Sequence, residues 1–236
     1  YIHLHVYYES EFKSILELIA KSKHYFFLII TVSGEENHFL YNTLTKFSNS
    51  YLRILFVKNI GYDILPFFKA LSLVGSDESL VAKIHTKKPH DKLGYKWSTH
   101  CISSVLLNDE YIEDILNQFQ KRRTLHMLGS SKIYKCVNKY MYNNETYCNM
   151  ILKKVFGVNL SKLEWGFFAG TSFWARKKIF CDLTDYFNTT SFKHLDNRSS
   201  DIGSLFHAAE RIFGALPMIN EGDLLTVKVN TDTKRS

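Results

Sequence analysis

Four strand-like runs separated by helix-like stretches dominate the first ~90 residues. Ile2–Tyr8 is β-branched and aromatic, Tyr25–Val32 is almost wholly apolar, and Leu52–Val57 and Leu80–His85 repeat the type. Between them, Ser10 stands where it can cap a helix whose apolar positions Ile15, Leu16, Leu18 and Ile19 fit a 3.6-residue period. Glu36–Phe47 and Ile64–Leu73 read as further helices. This β-α-β-α-β-α-β order points to an α/β fold: a Rossmann-type, mostly parallel sheet flanked by helices, with right-handed crossovers.

After residue 90 the pattern loosens. Helices are predicted over Ser98–Leu107, Tyr111–Phe119, Asn144–Phe156 and Asp201–Leu216, and strands over Thr124–Leu128 and Phe167–Trp174. The 236 residues contain no internal repeat and few Gly (11) or Pro (3), so no flexible linker divides them. The chain reads as one domain over 1–236, with a nucleotide-binding half at 1–90 and an acceptor half at 91–236. It begins inside a strand pattern without Met, as expected of a domain excised from a longer protein.

The four cysteines, at 101, 136, 148 and 181, form no CxxC pair, which argues against a zinc ribbon or a thioredoxin-type site. The longest apolar run is far short of the ~20 residues that span a membrane. The formal charge of +7 is lopsided: residues 1–118 carry 12 Lys/Arg against 13 Asp/Glu, and residues 119–236 carry 18 against 10. A basic half suits an anionic partner such as a nucleotide, a phosphorylated lipid or a membrane surface, or is simply a soluble basic surface.

Ligands of open parallel sheets bind beyond the carboxyl ends of the strands. Tyr7 follows the first strand, and Asn59-Ile60-Gly61-Tyr62-Asp63 the third. Gly61 permits a positive-φ turn there, and Asp63 can cap the next helix, bond a ribose or base, or do both. On the fourth strand Lys83, His85 and Lys87 share a side by their period of two, and Lys88 adds charge beyond it. Such a cluster can bind a diphosphate or simply be a solvated strand end. His3 and His5 also share one face, but there is no Asp-x-Asp in the chain to supply paired metal carboxylates. In the second half, Trp165 to Arg176, with Gly170, Thr171 and Trp174, mixes small, hydroxyl and ring side chains that suit a sugar or simply form a packed core strand. Asp201, Ser204 and His207 stand at i, i+3 and i+6, with Glu210 extending the line and Arg211 beside it. A carboxylate at a helix start beside a sugar pocket can take a hydroxyl proton, or merely cap the helix.

These blocks together resemble the rhamnan synthesis F family. They are Ile2-His3-Leu4-His5-Val6-Tyr7-Tyr8, Asn59 to Phe67, Lys83 to Lys88, Phe168 to Arg176 and Asp201 to Arg211. The family comprises bacterial glycosyltransferases of cell-surface polysaccharide assembly, O-antigen and capsule among them. In its third-strand motif, usually Asn-x-Gly-Arg-Asp, Tyr62 replaces the arginine here. The resemblance implies a GT-A-like fold and a dTDP- or UDP-sugar donor. It also implies an oligosaccharide acceptor, which a polyprenyl diphosphate would carry, and a cytoplasmic location at the inner face of the plasma membrane. Donor-binding residues would be His5, Tyr7, Asn59, Gly61, Asp63, His85, Lys87, Lys88 and Arg211. Gly170, Thr171, Trp174, His207 and Glu210 would meet the acceptor, and Asp201 would be the base of an inverting transfer. No divalent metal or other cofactor is expected, the cationic His85–Lys88 block standing where metal-using GT-A enzymes carry Asp-x-Asp. Three rival readings remain: a metal-dependent phosphoesterase on His3, His5, Asp63 and Asp201, a nucleic-acid-binding module, and a non-catalytic carbohydrate-binding domain.

Overall fold

The computed structural model describes residues 1–34, 51–87, 92–159, 164–190 and 204–229. The first half follows its hydrophobic pattern. Strands β1 (Ile2–Val6), β2 (Phe27–Ser33), β3 (Tyr51–Val57) and β4 (Leu80–His85) alternate with helices α1 (Glu9–Lys21) and α2 (Ile64–Leu71). The helix predicted over 36–47 lies outside the described residues. β1 pairs in parallel with β2 and β4, and β2 with β3. Helix α1 begins one residue before Ser10, with Tyr8 at the cap position and no side-chain cap bond.

The second half contributes α3 (Lys92–Ser103), α4 (Asp109–Lys121), β5 (Leu125–Ser130), β6 (Tyr134–Cys136), α5 (Val137–Tyr140) and α6 (Glu145–Phe156). Then come β7 (Gly166–Phe168), β8 (Phe173–Arg176), α7 (Cys181–Thr189), α8 (Leu205–Phe213), α9 (Leu216–Ile219) and β9 (Asp223–Val227). The main sheet has seven strands in the order β3-β2-β1-β4-β8-β5-β9, and β6 and β7 form a small antiparallel pair. Only β8 runs against its neighbours β4 and β5, so the sheet is mostly parallel, as the sequence pattern predicts.

Three predicted elements come out differently, the first being the helix expected over 98–107, which runs over Lys92–Ser103. The single strand expected over 167–174 is two strands in two sheets. Gly170 (φ 79°) and Thr171 (φ 49°) turn the chain between them, closed by Thr171 N–H donating to the Phe168 carbonyl at 3.0 Å. Glycine takes that backbone freely, whereas a β-branched threonine there is an outlier. The helix expected from Asp201 is described from Leu205, with Ser204 as its cap: Ser204 Oγ accepts from the His207 N–H. It stops at Gly214, where the backbone passes so close to Gly166 that a Cβ would meet the Gly166 carbonyl oxygen at 1.9 Å.

The sheet separates two cores. On one side Ile2, Leu4, Val6, Ala82 and Ile84 pack against Phe12, Ile15 and Ile19 of α1 and Ile112, Ile115 and Phe119 of α4. On the other, α2, α6, α7 and α8 bring together Phe67, Phe68, Phe173, Phe180, Phe187 and Phe213. Phe68 and Phe187 stack with centroids 4.6 Å apart, and Phe67 meets Phe180 edge-on at 5.2 Å. This second core holds α2 and α8 beside the carboxyl end of β4.

Candidate functional site

A cleft of about 180 Å³ opens at that end. Tyr62, Asp63, His85 and Lys87 line it from the first half of the chain, and Gly170, Thr171, Phe206, His207 and Glu210 from the second. Two left-handed turns shape its walls. Gly61 (φ 77°) precedes Tyr62 (φ 52°), and a Cβ at Gly61 would stand 2.7 Å from Leu65 Cβ and 2.9 Å from the Phe206 ring. The Gly170–Thr171 turn faces it.

The two turns are tied by a buried lysine. Lys83 is fully buried, and its Nζ donates to Asp63 Oδ2 and, at 2.6 Å, to Thr171 Oγ1. Thr171 Oγ1 in turn donates to Asp63 Oδ2 at 2.5 Å. Asp63 occupies the cap position of α2 but makes no side-chain cap bond, because its carboxylate is used here. Burial works against ionising Asp63, yet the Lys83 charge, His85 and the bonds from Lys83 and Thr171 prevail, and its carboxyl lies well below the usual range. Burial lowers Lys83 in turn, and the attraction of Asp63 opposes it. A fixed carboxylate therefore lines the cleft at neutral pH.

A second carboxylate, Glu210, sits in the opposite kind of environment. Burial pushes its pKa up, against the pull of the Arg211 charge and the Gly170 N–H. Its Oε1 accepts that N–H at 2.8 Å, and its Oε2 accepts from Arg211 Nη1 at 3.1 Å. His207 bonds Ser204 Oγ through Nδ1 at 2.9 Å, and its ring lies 5.2 Å from that of Tyr62. Its pKa is lowered by burial and then by Arg211.

Behind the cleft the same sheet face carries more imidazole. His3 Nε2 and His5 Nδ1 both meet Thr31 Oγ1 at 2.9 Å. Burial drives His3 well below its ordinary value and His5 to about 4. His85, at the cleft itself, is likewise lowered by burial to about 4, and its Nδ1 stands 3.7 Å from Asp63 Oδ2. His85 is thus a neutral imidazole near pH 7, not the cation that a basic cluster implied. Among the described residues, no group of three or more His, Cys, Asp or Glu converges as a metal site would need.

The structure gathers Asp63, His85, Lys87, Gly170, Thr171, His207 and Glu210 in one cleft, with Gly61 buried in the turn that shapes it. Tyr7 and Asn59 are exposed and do not line it, and His5 lies behind it. Two expectations are corrected. Trp174 is 2% exposed in the core on the opposite sheet face, donating to the Val105 carbonyl at 3.2 Å, so it offers no surface to an acceptor. Arg211 is 6% exposed, and its guanidinium bonds the Tyr140 and His207 carbonyls and Glu210. It supports Glu210 from behind and does not reach into the cleft to meet a donor. Lys88 and Asp201 lie outside the described residues.

Sequence reasoning missed three contributors. Lys83 reads from sequence as part of a cluster that binds a diphosphate or as a solvated strand end, and neither reading is its buried role, although its place between Ala82 and Ile84 on a central strand signals burial. Phe206 had no distinguishing pattern. Glu11 accepts the Lys87 backbone N–H and a bond from Ser98 Oγ at 3.1 Å, anchoring the segment after β4.

A mostly parallel α/β sheet with a polar, mixed-charge cleft beyond its strand ends places the domain among the open-sheet α/β folds. Within that class the family is specific: the family model of rhamnan synthesis protein F matches residues 1–221, and this chain belongs to that family. No curated protein sequence matches it. Two solved structures align over much of the chain. One is 4-diphosphocytidyl-2C-methyl-D-erythritolsynthase from Anaerococcus prevotii, at 11% identity and TM-score 0.48, covering 98% of this chain and 87% of that one. The other is TarS 1-349 from S. aureus, at 12% identity and TM-score 0.44, covering 77% of this chain and 48% of that one. No described helix is long and apolar enough to cross a membrane.

Proposed function

We propose that this domain is a glycosyltransferase that moves rhamnose or a hexose from a nucleotide-diphosphate donor to a growing bacterial cell-surface polysaccharide. One observation carries the reading: in a member of the rhamnan synthesis protein F family, the cleft at the carboxyl end of β4 joins a cation, neutral imidazoles, hydroxyls and two carboxylates of opposite character. A GT-A-like use of that sheet places the donor diphosphate against Lys87 and, in the segment that follows, Lys88. Ammonium groups there offset the charge that grows on the leaving diphosphate, so no divalent ion is required. His85 donates a hydrogen bond to the same group without adding charge. Asp63, held ionised by Lys83, accepts from a donor hydroxyl or base N–H. Thr171, His207 and Glu210 orient the acceptor sugar. Asp201 takes the acceptor proton as the hydroxyl attacks the anomeric carbon from the face opposite the diphosphate, inverting it. The acceptor is an oligosaccharide on a polyprenyl diphosphate at the inner membrane face.

The test is a thermal-shift panel of UDP-, dTDP-, GDP- and CMP-compounds with and without EDTA, followed by transfer assays with the stabilising donor. One nucleotide diphosphate should stabilise the protein in EDTA, and Lys87→Ala should weaken it in a salt-dependent way. Asp201→Asn should bind donor and lose transfer. Binding by no nucleotide, or binding abolished by EDTA, would overturn the donor or the metal-independent part of the reading respectively.

A further inference from the structure

We propose that Lys135, held beside Trp97 next to the cleft, is the contact residue of a second phosphoryl subsite. The proposal rests on the nucleotide-sugar reading above and goes beyond it, since nothing there assigns Lys135 or Trp97. Trp97, on α3, is partly buried directly behind the cleft wall: a Cβ at Gly170, which lines the cleft, would stand 3.4 Å from its Nε1. Two ammonium groups converge on its ring. Lys87 Nζ is 5.9 Å from the ring centroid and Lys135 Nζ 5.8 Å. Lys135 also lies 5.3 Å from the Tyr140 ring, so two aromatic faces fix its direction.

Among the described residues no carboxylate lies within ion-pair distance of Lys87 or Lys135. The nearby Glu11 takes the Lys87 backbone N–H, and the Lys87 charge reaches its carboxylate only from beyond ion-pair distance. Two like charges held about one indole repel each other, and an anion between or beside them turns that repulsion into a clamp. Lys135 also sits on the backbone that builds the cleft. It is the register partner of Phe167, three residues before Gly170, so the small β6–β7 pair carries it alongside the turn.

The ligand chemistry is a phosphoryl group. It comes either from the donor nucleotide or from the diphosphate that carries the acceptor, and the experiment separates these sources. Titration calorimetry would compare wild type, Lys135→Gln, Lys135→Arg and Lys87→Ala with UDP, dTDP, inorganic pyrophosphate and a short soluble isoprenyl diphosphate. Lys135→Gln should lower affinity for at least one probe by about tenfold. The loss should shrink as salt rises, and Lys135→Arg should restore most of it. A loss confined to nucleotides and pyrophosphate assigns the subsite to the donor, and one confined to the isoprenyl diphosphate assigns it to the acceptor. Unchanged affinities in Lys135→Gln, with nucleotide binding weakened in Lys87→Ala, overturn the subsite while the donor reading stands. Wild type that binds the isoprenyl diphosphate through Lys135 but no nucleotide keeps the subsite and overturns the donor reading.

Discussion

The two faces of β1 and β4 are built from alternate residues of the same strands, yet they meet opposite demands. On one face Ile2, Leu4, Val6, Ala82 and Ile84 disappear into an apolar core between the sheet, α1 and α4. On the other, His3, His5, Lys83 and His85 lie in register, with Thr31 of β2 beside His5. The first face stabilises in proportion to the apolar area it removes from water. The second costs stability unless every polar group finds a partner. That second face leads straight to the cleft. Both faces of the sheet cover an apolar core, but only one carries a polar strip along β1 and β4, and that strip ends at the cleft.

Acid should break the contrast most strongly. His5 and His85 titrate at about 4 in the fold against an ordinary 6.5, chiefly because of burial. Between those values the unfolded chain binds more protons, so their stabilisation is whole above about pH 6.5 and drains as pH falls toward 4. The two together should lose on the order of 5 kcal/mol by pH 4.5. Glu210, whose carboxyl is raised, offsets part of this as it regains a proton. Urea unfolding at pH 7.5 and 4.5 measures the difference, and a flat profile would remove the polar face as an acid-labile element.

Next in size is the lysine. Lys83→Met leaves the Asp63 carboxylate without its buried partner and should cost about 3–5 kcal/mol. The double change Lys83→Met with Asp63→Asn should recover much of it. The reference is Ile84→Val on the apolar face, expected to cost about 0.5–1.5 kcal/mol. Equal losses for Lys83→Met and Ile84→Val would erase the distinction between the faces.

Smaller effects sharpen it at the cleft walls. Gly61→Ala forces a side chain into left-handed backbone and against Leu65 and Phe206, at a cost of about 1–2 kcal/mol before the clash is counted. Ser204→Ala removes the cap of α8 and should cost about 1 kcal/mol. It also frees His207, so ligand binding should fall by more than thermal stability does. Loss of stability alone would make Ser204 a cap and nothing further.

The parallel first half was legible because strands buried on both faces read as near-continuous apolar runs between helix periods. The rest was obscured by single-residue effects. Phe173 and Trp174 are adjacent and equally apolar, yet one enters the aromatic core and the other the opposite one, so a single step of register decides which can approach a sugar. The turn at Gly170–Thr171 hid inside an apolar run because Thr171 adopts a backbone that its type disfavours, and its side chain is held there by Asp63 and Lys83. Strand β9 was unanticipated because its pairing with β5 joins segments about a hundred residues apart. Asp63, Gly61, Glu210 and His207 were legible because turn chemistry and helical spacing fixed their places.

The bond from Thr171 to Asp63 spans 108 positions of the chain, and that from Lys83 to Thr171 spans 88. A ribosome makes Asp63 and Lys83 long before the threonine that completes their trio, so the nascent first half must shelter an incomplete ion pair until β8 slots in beside β4. Long-range closures of this sort slow folding. The cleft therefore forms late, once the segment carrying Thr171 has docked beside β4.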